Sequence, residues 1–184
     1  MNRLHRRFCR SPKYGAQIER RLIPWVVGSV ELGDDVLEIG PGPGLTTNVL
    51  RARAPKLTTI EIDPALAASL QSRLRDVTTV RADATDMPFD AGRFSAAVCF
   101  TMLHHVPSRA LQDTLLGEVH RVLRPGGAFL GSDSTGSFLF GIAHWFDTMV
   151  TVDPATFAER LVRAGFHDPT VDARERAFRF RALA

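Results

Sequence analysis

Nine residues, Val36-Leu-Glu-Ile-Gly-Pro-Gly-Pro-Gly44, concentrate the chemistry this chain could perform. Val36 to Ile39 read as the end of a buried strand. Gly40, Gly42 and Gly44 then make a loop with almost no side chains, ahead of a helical stretch. A strand, a glycine loop and a helix in that order let a ligand lie against bare backbone. Pro41 and Pro43 carry no N–H, so the loop lacks donors that a pyrophosphate would want. Glu38 stands one residue from the strand's end, where a carboxylate is costly unless a cation or a hydrogen-bond donor is near. The combination suits a ligand that is positively charged and not phosphorylated.

The other strand ends extend this. Ligands of open α/β sheets bind beyond the carboxyl ends of the strands. The second strand closes on Glu61 and Ile62, with Glu61 placed 17 residues past Gly44. A carboxylate there can accept from both hydroxyls of a ribose. After the third strand come Asp83 and Ala84, an acceptor for an exocyclic amine and a backbone amide for a ring. Phe100-Thr-Met-Leu-His-His-Val106 follows the fourth. Together they suggest an adenosine lying across the strand ends. The dinucleotide pattern Gly-x-Gly-x-x-Gly fails in both registers: Leu45 or Thr47 occupies its last position. The phosphate-loop ending Gly-Lys-Ser/Thr is absent.

The elements that must hold these residues alternate regularly. Gln17 to Val30 has helical apolar spacing. Strands are expected at Asp35–Ile39, Leu57–Ile62, Thr78–Ala82, Phe94–Phe100 and Ala128–Ser132, with two more at Val171–Ala173 and Ala177–Ala182. Helices are expected at Leu45–Ala54, from Pro64 to about Arg75, and at Arg109–Leu123. A last helix follows Asp153-Pro154 and stops at Gly165. Arg124-Pro-Gly-Gly127 reads as a turn into the fifth strand. The expected fold is a Rossmann-like, doubly wound seven-stranded sheet, mostly parallel with an antiparallel C-terminal strand and helices on both faces.

Composition bounds the rest. The 184 residues are expected to form a single domain with an ordinary core. The net charge of +3 is mild, and of 23 basic residues only Lys13 and Lys56 are lysines, so basicity is weak evidence for nucleic-acid binding. Cys9 and Cys99 are far apart, follow no metal spacing and fit a reducing cytoplasm. No metal site, secretory signal or membrane span is expected.

The ordered motifs resemble those of class I S-adenosylmethionine-dependent methyltransferases. Val36–Gly44 is similar to the first motif, Glu61 to the acid ending the second strand, and Asp83-Ala84 to the adenine-contacting pair. Leu103-His-His-Val106 and Arg121-Val-Leu-Arg-Pro-Gly-Gly127 are similar to later motifs of the branch that acts on small molecules. The likeness runs from about Asp35 to Asp133. It implies S-adenosyl-L-methionine as cofactor, with Glu38, Gly40 and the loop Pro41, Gly42, Pro43, Gly44 at its methionine end. It further implies Glu61 and Ile62 at the ribose, Asp83 and Ala84 at the adenine, and backbone or packing contacts from Phe100. Ser95 departs from the aspartate usual at the start of the fourth strand.

Glu38–Gly44 and Ile60-Glu-Ile-Asp63 are also similar to the ribosomal RNA adenine dimethyltransferases. Those enzymes use an Asn-(Ile/Leu)-Pro-(Tyr/Phe) motif to hold a flipped base, and Phe100-Thr-Met-Leu103 has neither Asn nor Pro and ends without an aromatic. Cys99 follows Val98 rather than the proline of a cytosine-C5 nucleophile. The expectation is therefore a small, hydrophobic acceptor. The rivals are an RNA adenine-N6 enzyme and a non-catalytic binding protein. His104, His105 and His144 are the candidate bases; the alternative for either of the first two is a hydrogen bond to loop backbone. Residues 134–153, with Phe138, Leu139, Phe140, Ile142, His144, Trp145, Phe146 and Met149, read as an acceptor wall or as an ordinary packed helix. Residues 1–30 read as a lid and helix, with Arg3, Arg6, Arg7, Arg10, Lys13 and Tyr14 over the cofactor or in solvent.

Overall fold

A computed structural model describes residues 12–135 and 149–184, with side chains from residue 15 onward. Seven strands form one sheet: β1 (Asp35–Ile39), β2 (Lys56–Glu61), β3 (Thr78–Arg81), β4 (Phe94–Phe100), β5 (Leu123–Ser134), β6 (His167–Ala173) and β7 (Ala177–Leu183). Their order is β3-β2-β1-β4-β5-β7-β6. β1 to β5 pair in parallel, and β7 runs antiparallel to both of its neighbours. Successive strands step outward one way from β1 to β3, then resume on the other side at β4. The carboxyl ends of β1 and β4 thus bound the crevice where the direction of winding changes, the place that such sheets give to ligands.

Side chains of the central strands alternate between two cores, as the two-residue period of a strand requires. Leu37, Ile39, Ala97, Cys99 and Phe129 face one core with Leu115, Val119 and Phe157. Val36, Ala96, Val98 and Leu130 face the other with Ile23, Leu50 and Leu70. The first core is closed by α5 (Arg109–Val122) and α6 (Pro154–Arg163); the second by α3 (Leu45–Leu50), α4 (Pro64–Arg73) and the N-terminal helical run. Asp63 Oδ1 accepts from the Ala65 and Leu66 N–H groups at 2.8 and 3.0 Å, and Asp153 Oδ1 from Ala155 at 3.0 Å, with a proline at each first helical position. Gly165, at φ +105°, ends α6 as expected.

Four elements differ from the sequence reading by more than two residues. The N-terminal run begins at Pro12 as α1 (Pro12–Gln17), widens into a π-helical turn at Ile18–Leu22, and ends with α2 (Ile23–Val26). Pro24 lacks an N–H and its ring crowds the carbonyl four residues back, so the ladder shifts to the wider spacing just before it, with Ile23 N–H bonded to Ile18 O. α3 stops at Leu50 because Pro55 disfavours helix at Ala54 and the last carbonyls close in turns. β5 starts at Leu123, so Arg124–Gly127 is strand and not turn. Leu123 registers with Phe94, while Gly126 and Gly127 exchange backbone bonds with Ala184 at 2.5 and 2.9 Å. β6 starts at His167, four residues ahead of Val171, around an irregularity at Asp168 (φ +51°).

Ser95 explains its own departure from aspartate. Its hydroxyl accepts the Asp35 N–H at 3.0 Å and lies 2.8 and 2.9 Å from the Leu32 and Asp35 carbonyls. It pins the start of β1 to the start of β4, away from the crevice. Ser95→Ala should cost about 1–2 kcal/mol and lower the melting temperature by about 2–8 °C. Scanning calorimetry checks this; an unchanged melting point would refute the pinning role.

Candidate cofactor site

A cavity of about 560 Å³ opens at the carboxyl ends of β1, β2 and β4. Its floor is the loop from Gly40 to Gly44. Gly40 has φ +62°, and a Cβ there would overlap the Met102 side chain. Gly44 has φ +85°, precedes α3, and would drive a Cβ into Leu70. Only glycine holds both positions without strain. A Cβ on Gly42 would meet nothing within 4 Å, so the middle of the loop presents bare backbone to open space.

Two buried carboxylates set the loop. Glu61 Oε2 accepts the Gly42 N–H and Oε1 the Asp63 N–H, each at 3.0 Å. It thereby ties the loop to the end of β2. Burial still pushes its pKa up, against those donors. Glu38 is 1% exposed. Its carboxylate accepts from the Thr46 hydroxyl and, at 2.6 Å, from the Thr47 hydroxyl, both on the first turn of α3. Burial is the largest influence on it and raises its pKa to about 7, with Glu61 adding repulsion and the two threonines pulling the other way.

The remaining residues singled out in the sequence fall around the same space. Ile39, Pro41, Pro43, Asp83, Ala84 and Phe100 line the cavity. Asp83 Oδ1 accepts from the Thr85 N–H and hydroxyl at 2.9 and 2.8 Å, which rigidifies the turn after β3. Ile62 lines the rim with 63% of its surface exposed, and Leu111, on α5, is exposed there too.

The adjacent histidines part company. His105 lines the cavity, whereas His104 is buried on a 3₁₀ turn (Leu103–His105) with Nδ1 2.5 Å from Asp133 Oδ1. His144, Phe138–Phe146 and the basic N-terminal residues through Tyr14 lie outside the described residues and side chains. Sequence reasoning missed Thr46 and Thr47, whose position in the first turn after a glycine loop was the available signal. It also missed Met102, Asp133, and Ile18 with Leu22, which the π-turn brings to the cavity wall.

The charged lining residues among those described are Glu38, Glu61, Asp63 and Asp83, with no lysine or arginine. Such a cavity fits an adenosine whose tail carries cationic sulfur and nitrogen, and it repels phosphates. No group of three or more His, Cys, Asp or Glu side chains able to hold a metal occurs among the described residues, and none of their helices is long and apolar enough to cross a membrane.

Fold and cavity together define a class I S-adenosylmethionine-dependent methyltransferase domain. The "Methyltransferase domain" family matches residues 37–131, and the chain belongs to that family. A ubiquinone biosynthesis O-methyltransferase of Azotobacter vinelandii is 32% identical over 114 residues, 57% of this chain and 47% of that protein. An rRNA adenine N-6-methyltransferase of Saccharopolyspora erythraea is 47% identical over 58 residues, covering 30% of this chain and 15% of that one. The chain thus spans about half or less of the length of these curated relatives. The crystal structure of a SAM-dependent methyltransferase from Archaeoglobus fulgidus shares the fold with a TM-score of 0.77 at 15% identity over 98% of each chain. The cofactor of the domain is S-adenosylmethionine.

Proposed function

We propose that the chain transfers the methyl group of S-adenosylmethionine to a small, neutral, largely apolar metabolite in the cytoplasm. The carrying observation is the wall after β4. Phe100, Met102, His105, Val106 and Leu111 close that side of the cavity with apolar side chains and one imidazole, Thr101 adding a single hydroxyl, where a base-flipping enzyme would need its amide and stacking aromatic.

The cofactor supplies a sulfonium-activated methyl group when bound. In this reading the chain does the positioning. Glu61 holds the ribose while fixing Gly42, Asp83 and Ala84 receive the adenine edge, and Ile62 and Leu111 cover its faces. Glu38, held by Thr46 and Thr47, faces the ammonium through the glycine loop. His105 accepts the proton that an oxygen or nitrogen acceptor releases, and the apolar wall excludes water.

The test is tritiated methyl incorporation from labelled cofactor into an apolar metabolite extract and, separately, into total RNA. Label in the extract that His105→Ala lowers at least tenfold is expected. Label in RNA alone would replace the reading with its RNA-directed rival, which the short 47% identical stretch shared with the rRNA enzyme favours. Tight cofactor binding without incorporation into either pool would make this a binding protein.

A further inference from the structure

The turn that carries the cavity wall is clamped from behind by groups that never reach the cavity. Asp133, fully buried near the end of β5, accepts three hydrogen bonds. Its Oδ2 takes the His104 backbone N–H at 3.1 Å; its Oδ1 takes the Ser134 N–H at 2.6 Å and lies 2.5 Å from His104 Nδ1. The far side of the turn is held as firmly. The Val150 N–H donates to His104 O at 2.8 Å. Gln112, 1% exposed on α5, donates from Nε2 to both Leu103 O and Val150 O at 3.0 and 2.8 Å. Its Oε1 accepts from Arg160 of α6 at 3.0 Å, and Arg160 is itself paired with Asp113 at 2.6 Å. The chain therefore leaves this turn at Asp133 and returns to it at Val150.

The clamp works against a strained backbone. Thr101, between β4 and the turn, has φ +49°. A β-branched residue in the left-handed region is strained, and such strain persists only where the surroundings over-determine it. Thr101 and Met102 line the cavity just before the turn, and His105 and Val106 at its end and just after it.

We infer that Asp133 and Gln112 are positioning residues for methyl transfer: they fix the Leu103–His105 turn so that Met102 and His105 keep a single arrangement against the cavity. The inference rests on the methyltransferase reading above for its kinetic consequence, but not for its structural one. Buried networks of this kind hold one conformation when every member is satisfied and release several when one is lost.

The experiment compares wild type with Asp133→Asn and Gln112→Glu. Asn keeps the shape of Asp133 but can no longer accept from the turn at both terminal atoms. Glu keeps the contact with Arg160 and loses both donations. Three readouts are taken: S-adenosylhomocysteine affinity by calorimetry, the Met102 methyl and His105 ring signals by NMR with and without S-adenosylhomocysteine, and label incorporation into the apolar extract. Expected are an affinity within about threefold of wild type, split or broadened Met102 and His105 signals, and incorporation reduced tenfold or more. A merely structural role would lower the melting point and leave those signals single in the folded protein; that result overturns the proposal. Should Asp133→Asn fail to fold, Gln112→Glu decides alone. Should wild type label no extract, the acceptor reading fails while the NMR comparison still decides this one.

Discussion

Glu61→Ala should weaken S-adenosylhomocysteine binding by roughly a hundredfold or more. Glu61 does two things at once. It fixes the floor of the cavity by accepting from Gly42 and Asp63, and in the proposed reading it presents the same carboxylate to the ribose. Hydrogen bonds to a charged group contribute about 1.5–3 kcal/mol each, and about 1.4 kcal/mol is a tenfold change in affinity. Loss of the ribose contacts alone reaches the hundredfold range, before any loosening of the loop. Glu61→Gln is the milder change, since both carboxylate oxygens are used by the loop and only one acceptor survives. It keeps one of the two loop acceptors, so its melting point should fall less than that of Glu61→Ala while its affinity still falls clearly. Equal affinity in wild type and Glu61→Ala would remove Glu61 from the site.

Glu38 makes the second large prediction, and it concerns pH. Its pKa in the folded protein is about 7, raised by burial. The folded state therefore binds a proton that the unfolded chain releases near pH 4.5. The sign follows from linkage: a raised carboxyl favours folding fully below the unfolded value, and that contribution is lost as pH climbs from about 4.5 to about 7. Above pH 7 the ionised, buried carboxylate burdens the cofactor-free protein by on the order of 3 kcal/mol. A cationic ligand turns that burden into affinity. S-Adenosylhomocysteine should bind about tenfold more weakly at pH 6 than at pH 8, since only the ionised form attracts its ammonium. Glu38→Gln should flatten this dependence, bind weakly throughout and melt several degrees higher than wild type at pH 8. His105 also lines the cavity, so the Gln variant is the control that assigns the profile to Glu38. A wild-type affinity that does not change between pH 6 and pH 8 would refute the assignment.

Much of the site was legible because it is local. Glu38, the three glycines, Glu61 and Asp83 each stand within five residues of a strand's carboxyl end, and β1 and β4 have the bounds that their apolar runs announce. What the sequence hid depends on distant partners. The strand at Leu123–Gly127 exists because Phe94 and Ala184 satisfy its backbone. The π-turn at Ile18–Leu22 answers to Pro24, whose effect on a helix can be a kink, a widening or an end. Thr46 and Thr47 carry no mark beyond their place in the first turn after the loop, and Asp133 carries none; they matter through what they hold. His104 and His105 are neighbours of one type in sequence, and only the 3₁₀ turn sends one into the interior and the other to the cavity.

The claim beneath all of this is that the cavity accepts an adenosine with a cationic, unphosphorylated tail. The most direct measurement is calorimetric titration of the wild-type chain at pH 8 with S-adenosylhomocysteine and, in parallel, with oxidised nicotinamide adenine dinucleotide. The four lining carboxylates and the proline-interrupted loop predict one saturable site for the first ligand and no measurable binding of the second. A folded protein that ignores S-adenosylhomocysteine, or binds the dinucleotide equally well, would contradict the account.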